Sequence, residues 1–185
     1  MEKISFDYLI KTLRPRLRFL DGVSLSGGEP LLHSNLVDFL KELKFFGSLV
    51  RLKTNASRPK AIQLLIDRHL VDFYSIFIPG PFSIYKDIVN YHVNLNDVSL
   101  SIQMIRKSGI DHEFRVKAVP GLVEKPELIE IANYLVGAPR FVIERFEPEK
   151  SMDESFRELN PFPYKELVEM RDAVAHYFNE TILEI

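Results

Sequence analysis

Cysteine and tryptophan are both absent from this chain of 185 residues. Without a thiol there is no disulfide framework, no Cys-based zinc or redox centre and no thiolate ligand for an iron–sulfur cluster. Aromatic packing therefore falls on 14 Phe and 7 Tyr. A surplus of charge is missing too. With 24 basic and 26 acidic residues the net charge is −2, which leaves no electrostatic footprint for nucleic acid or an anionic membrane. No apolar run approaches the ~20 residues that a membrane span needs. The first residues, Met1-Glu2-Lys3-Ile4-Ser5, have no signal-like apolar region, so a cytoplasmic protein is expected. Internal repeats, low-complexity tracts and linker-like stretches are lacking as well, and one domain over residues 1–185 is the expectation.

What the chain does have is an alternation of short β-branched runs with amphipathic stretches. Strands are expected near Gly22 to Ser26, from Leu49, from Val71, from Asp111 and from Arg140. Helices are expected from Asn35, Pro59, Asn96, Pro126 and Pro163, and a short final strand at Leu183-Glu184-Ile185. An additional helix at the start has Ser5 as its cap and Pro15 as its end. Leu36, Leu40 and Leu43 fall on one stripe, as do Val98, Ile102 and Ile105, Leu128, Ala132 and Leu135, and Leu167, Met170, Val174 and Phe178. Gly47, Gly109 and Gly137 follow periodic runs, where a left-handed helix terminus is wanted. Such alternation implies an α/β fold with parallel strands and right-handed crossovers.

Within this frame the stretch Val23-Ser24-Leu25-Ser26-Gly27-Gly28-Glu29-Pro30 stands out. An aliphatic strand opens abruptly into two glycines, a carboxylate and a proline. Gly27 and Gly28 allow a ligand to approach bare main chain. Glu29 adds a charge suited to an ammonium group, since charge-assisted hydrogen bonds are roughly twice as strong as neutral ones. Pro30 fixes the exit of the chain. Other chemistry has less support. His33, His69, His92, His112 and His176 show no helical metal-ligand spacing, and structural roles suit them better, although His33 follows the Gly-Gly-Glu-Pro loop closely. Ser24 and Ser26 flank no nucleophile elbow. Glu144 and Glu147 could form an acid/base pair, but surface pairing with Arg145, Arg140 and Lys150 is the expectation.

The Gly27-Gly28-Glu29-Pro30 loop resembles the Gly-Gly-Glu motif of radical S-adenosylmethionine (SAM) enzymes, whose backbone and carboxylate hold the amino group of SAM. Leu52-Lys53-Thr54-Asn55-Ala56-Ser57 is similar to their Asp-Thr-Asn-Gly segment. Phe114-Arg115-Val116-Lys117-Ala118-Val119-Pro120-Gly121-Leu122-Val123 resembles their Arg-x-x-x-Val-Pro-Gly strand end. Arg140-Phe141-Val142-Ile143-Glu144-Arg145-Phe146-Glu147-Pro148 is similar to the last barrel strand of the activating proteins of anaerobic ribonucleotide reductase and pyruvate formate-lyase. The resemblance covers nearly the whole chain. It implies an incomplete (β/α) barrel of about five to six parallel strands with helices outside and the first βα unit missing. It also implies a SAM site at Gly27, Gly28, Glu29, Pro30, Thr54, Asn55 and Arg115.

The sequence also departs from the family pattern. Its Cys-x3-Cys-x2-Cys loop has no counterpart in a chain without cysteine, so no iron–sulfur cluster and no catalytic residue is expected here. Lys53 stands where the family has Asp and would repel a sulfonium. Phe77 and Pro79 stand where it has Asp-x-Lys. The resulting expectation is a degenerate radical-SAM-like domain, not catalytic on its own, that binds SAM or another amine, or a partner. The alternative is the downstream part of a split or truncated SAM-dependent activating enzyme whose iron–sulfur loop lies elsewhere. In either case the open side of the barrel should expose apolar surface to a protein partner or a second copy.

Overall fold

The computed structural model describes residues 6–17, 19–89, 93–151 and 153–185. The proposed Ser5 cap and His92 lie outside them. Helices and strands alternate as α1 (Phe6–Leu17), β1 (Gly22–Leu25), α2 (Leu36–Phe45), β2 (Leu49–Thr54), α3 (Pro59–Asp67), β3 (Phe73–Phe77), α4 (Tyr85–Ile88), α5 (Leu95–Lys107), β4 (Asp111–Ala118), α6 (Lys125–Leu135), β5 (Arg140–Arg145), α7 (Tyr164–Val174) and β6 (Glu180–Glu184). The strands form one sheet in chain order, β1-β2-β3-β4-β5-β6. Gly22 to Leu25 pair in parallel with Leu49 to Leu52, and β5 pairs in parallel with both β4 and β6. The α/β arrangement of parallel strands is therefore as expected from the alternation. Short 3-10 turns at Pro30–Leu32, Pro148–Lys150, Glu154–Glu158 and Ala175–Tyr177 were not legible in it.

The backbone groups into two compact units, Met1–Ser75 with Asn96–Asp111, and Ile76–Leu95 with His112–Ile185. In the first, Phe39, Leu40 and Leu43 of α2 are buried, together with Ile62 and Leu65 of α3, Val98, Ile102 and Ile105 of α5, and Val50 and Leu52 of β2. Asp72 ties these elements together: its carboxylate accepts from the Val50 amide at 2.7 Å and from Lys44 Nζ at 2.7 Å. Pro15 does not end α1. The helix continues two residues further because Leu17, two turns beyond Ile10, is buried with it, and that burial outweighs the hydrogen bond that proline removes. The third strand begins at Phe73 and not at Val71.

In the second unit the core consists of Phe114, Val116, Leu128, Ile131, Ala132, Leu135, Phe141, Ile143, Leu167 and Val174. Phe141 stacks on Phe178 with centroids 4.5 Å apart; Phe178, expected on the stripe of the last helix, lies beyond the end of α7 and after the Ala175–Tyr177 turn, yet packs into the same core. A capping box at Glu124 and Glu127 opens α6. Gly47, Gly109 and Gly137 take positive φ after their helices. No helix among the described residues is long and apolar enough to cross a membrane.

Candidate functional site

Where β1 ends, the main chain turns through Gly27 at φ 90° and Gly28 at φ 50°, conformations that disfavour a side chain. A Cβ built at either position would meet nothing within 4 Å. Their backbone faces open space. Glu29 is extended at φ −119° and ψ 107°, as the residue before a proline should be, and it caps the Pro30–Leu32 turn. Pro30 is buried beneath it.

The Glu29 carboxylate is held by its own chain. Oε1 accepts from the Leu31 amide at 3.1 Å and from Thr54 Oγ1 at 2.7 Å, and Oε2 accepts from the Asn55 amide at 2.8 Å. Thr54 Oγ1 in turn accepts from the Ala56 amide at 3.0 Å, and Asn55 Oδ1 accepts from the Ser57 amide at 3.0 Å. The network thus brings Gly27, Gly28, Glu29, Pro30, Thr54 and Asn55 together at the ends of neighbouring parallel strands. A carboxylate has about four acceptor positions. Three are in use, so one on Oε2 remains for a ligand donor such as an ammonium. Ala56 takes φ 57°, where the resembling family segment has glycine.

Beside this loop lies a pocket of about 300 Å³ lined by Ser26, Gly27, Pro30, His33 and Asn35 on one side and by Leu9, Leu36 and Phe39 among its apolar walls. His33 stands at the pocket, as its place in the sequence suggested. The apolar contribution of α1 and α2 was missed, because neither Leu9 nor Phe39 carries a signal beyond ordinary helical periodicity.

Arg115 lies in the second unit, on β4. It is 5% exposed and surrounded by carboxylates: it donates to Glu113 at 2.9 Å, to Glu144 at 2.5 Å and to Glu184. Burial alone would lower its pKa, but the hydrogen bonds to Glu113, Glu144 and Glu184 outweigh that and raise it. Strand alternation explains the grouping: Glu113 and Arg115 share a face of β4, and Glu144 sits opposite Glu184 in the β5–β6 register. Glu144 was expected to pair at the surface and instead pairs here. Glu147 does bind Lys150 as expected, at 2.7 Å, which lowers the carboxyl pKa, and Arg140 binds Glu180 at 2.7 Å. The signal for the cluster was Glu113-x-Arg115 alternating with the apolar Phe114, Val116 and Ala118.

The donor set does not fit an iron–sulfur cluster. There is no cysteine, and among the described residues no group of three His, Asp or Glu side chains is placed to hold a metal. It does fit an ammonium group, through Glu29 and the bare backbone of Gly27 and Gly28.

Comparison with known proteins bears on the family and the fold. The model of the radical SAM superfamily matches residues 2–135. A protein of Methanocaldococcus jannaschii named as a glycyl-radical enzyme activating enzyme is 28% identical over 171 residues, 89% of this chain and 71% of the relative. The crystal structure of a domain of pyruvate-formate lyase-activating enzyme from Bacteroides vulgatus superposes with a TM-score of 0.68 at 16% identity, covering 87% of this chain and 98% of that one. SuiB of Streptococcus suis bound to S-adenosylmethionine superposes with a TM-score of 0.76 at 13% identity over 100% of this chain and 45% of that one. At such identities the two structures speak for the fold alone.

Proposed function

Because this chain belongs to the radical SAM superfamily, we propose that its Gly27–Glu29 loop binds the ammonium group of SAM, and that the chain by itself performs no radical chemistry. The observation that carries this is the Glu29 carboxylate, fixed by Leu31, Thr54 and Asn55 with one acceptor position still open beside two glycines that present bare main chain. A carboxylate already held in place loses little freedom on binding, so its charge-assisted hydrogen bond is retained almost in full.

When bound, SAM would supply the methionine ammonium and carboxylate and a cationic sulfonium. This chain's residues do the holding. Glu29 Oε2 would accept a hydrogen bond from the ammonium, the Gly27–Gly28 backbone would let it approach, and Thr54 and Asn55 keep the carboxylate from turning away. Reductive cleavage needs an electron from a cluster, and no thiolate is present to ligate one. Lys53, half-buried on β2, opposes a sulfonium nearby.

The test is an anaerobic calorimetric titration with SAM. Binding at micromolar strength, about −8 kcal/mol, that is lost in Glu29→Gln is expected. No heat at millimolar SAM overturns the binding reading, and 5′-deoxyadenosine formed by the reduced, unmodified chain overturns the non-catalytic one.

A second reading, an activating enzyme whose cysteine loop is carried by another polypeptide, draws support from the edge strand β1. Gly22 and Ser24 are exposed, Val23 and Leu25 are part-buried, and Phe19, Leu20 and Leu49 beside it are exposed as well. Parallel strands are normally covered on both faces, so this edge suits an additional chain.

A further inference from the structure

The two strands that end the sheet, β1 and β6, are each hydrogen-bonded to a single neighbouring strand, and they lie in units of opposite charge. The unit that contains β1 has 14 basic and 10 acidic residues, a net +4, and the unit that contains β6 has 10 basic and 16 acidic residues, a net −6. The helices beside the two edges repeat the contrast. Exposed Lys11 and Arg16 lie on α1, which packs on α2, whereas exposed Glu166 and Glu169 lie on α7, which packs on β6. An unprotected strand edge invites another strand, and parallel strands are ordinarily covered on both faces. No residue of β1 is charged, and Phe19, Leu20 and Leu49 beside it are exposed.

The side-chain patterns of the two strands are complementary as well. In β1, Val23 and Leu25 are in register with the buried Val50 and Leu52, and Ser24 with Arg51. In β6, Thr181 and Leu183 are in register with the buried Phe141 and Ile143, and Ile182 and Glu184 with Val142 and Glu144. Side chains alternate along a strand. Laying β6 of one copy parallel to β1 of another, with Thr181 beside Val23, therefore sets Leu183 beside Leu25, and Ile182 and Glu184 beside Ser24 and Ser26. The face that carries core residues is continued across the junction, and Glu184 meets a hydroxyl. The same register aligns the helices that lead into the two strands, since Lys11 is eleven residues before Gly22 and Glu169 is eleven before Glu180. A cation and a carboxylate thus fall at equivalent positions of neighbouring helices.

We infer that copies of this chain associate head to tail, the β6 edge of one adding to the β1 edge of the next, with the α7 carboxylates facing the α1 cations. Such a contact is heterologous. It leaves one β1 edge and one β6 edge free, so a dimer forms first and longer assemblies follow at higher concentration. It does not depend on the SAM reading.

The experiment is sedimentation velocity of the whole chain over a range of concentrations, in dilute chloride and in about 1 M chloride, where the screening length falls to about 3 Å. Association that grows with concentration and weakens in high salt is expected. Two charge-reversed chains are compared with it, one with Lys11→Glu and Arg16→Glu, the other with Glu166→Lys and Glu169→Lys, each with its fold checked by circular dichroism. Like charges then face each other when either variant meets itself, and each should self-associate about tenfold or more weakly. An equimolar mixture of the two should regain association, because the acidic α1 of one variant meets the basic α7 of the other. A chain that stays monomeric at every concentration overturns the inference and leaves the β1 edge to a different polypeptide. Self-association of the α7 variant at full strength overturns it in favour of two-fold pairing between β1 edges. A mixture no stronger than its components overturns the charge contact.

Discussion

Ala56 holds a left-handed backbone, φ 57°, directly beneath the Glu29 network. For an L-residue that conformation costs roughly 1–2 kcal/mol, whereas glycine gives back about 0.5–1 kcal/mol in unfolded-chain entropy. Ala56→Gly is therefore expected to stabilise the protein by up to about 1 kcal/mol, raising Tm by roughly 2–4 °C for a chain of this size. A lower Tm in calorimetry would show that the alanine methyl, fully buried here, contributes more packing than its backbone strain costs. Glu29 shows the limit of reading a residue by type. Its charge and its place after two glycines were visible in the sequence, but the three donors that orient it were not. They come from Leu31, two residues away, and from Thr54 and Asn55 at the end of the next strand.

Strands β4, β5 and β6 are joined by more than their backbone ladder. Arg115 binds a carboxylate from each, Glu113, Glu144 and Glu184. Arg115 and Glu113 are buried whereas Glu184 is exposed, and breaking a buried ion pair costs about 3–5 kcal/mol. Arg115→Met should destabilise the chain by that order in urea unfolding. The loss should also depend on pH. Buried carboxyls without their counter-charge have folded-state pKa values above their unfolded ones, so the folded variant binds more protons and regains stability as pH falls below neutral. A deficit unchanged between pH 7 and pH 5 would contradict the role given to Arg115. Element α1 makes the complementary point. Pro15 marks a helix end by local rules, yet burial of Leu17 carries the helix past it. Leu17→Ala should cost roughly 2–5 kcal/mol and release the last turn of α1, seen as lost amide protection there.

At the scale of the whole molecule, the exposed β1 edge with Phe19, Leu20 and Leu49 is expected to support self-association. Sedimentation equilibrium should show a dimer that Leu20→Asp disperses, and a monodisperse monomer counts against it. The alternation of elements, the parallel sheet and the glycine-rich loop that ends β1 were all legible in the sequence. They follow from local causes: hydrophobic period, glycine and proline placement, and helix caps act within a few residues. The absence of cysteine likewise settled from composition alone that this chain cannot ligate a cluster through thiolates. Tertiary structure decided which charges meet. Glu144 turned from a surface partner into a ligand of Arg115, and Lys53 was left without one. Such choices depend on strand register and on which face of each strand the helices cover. Those are set by contacts between residues tens of positions apart, which no local pattern encodes.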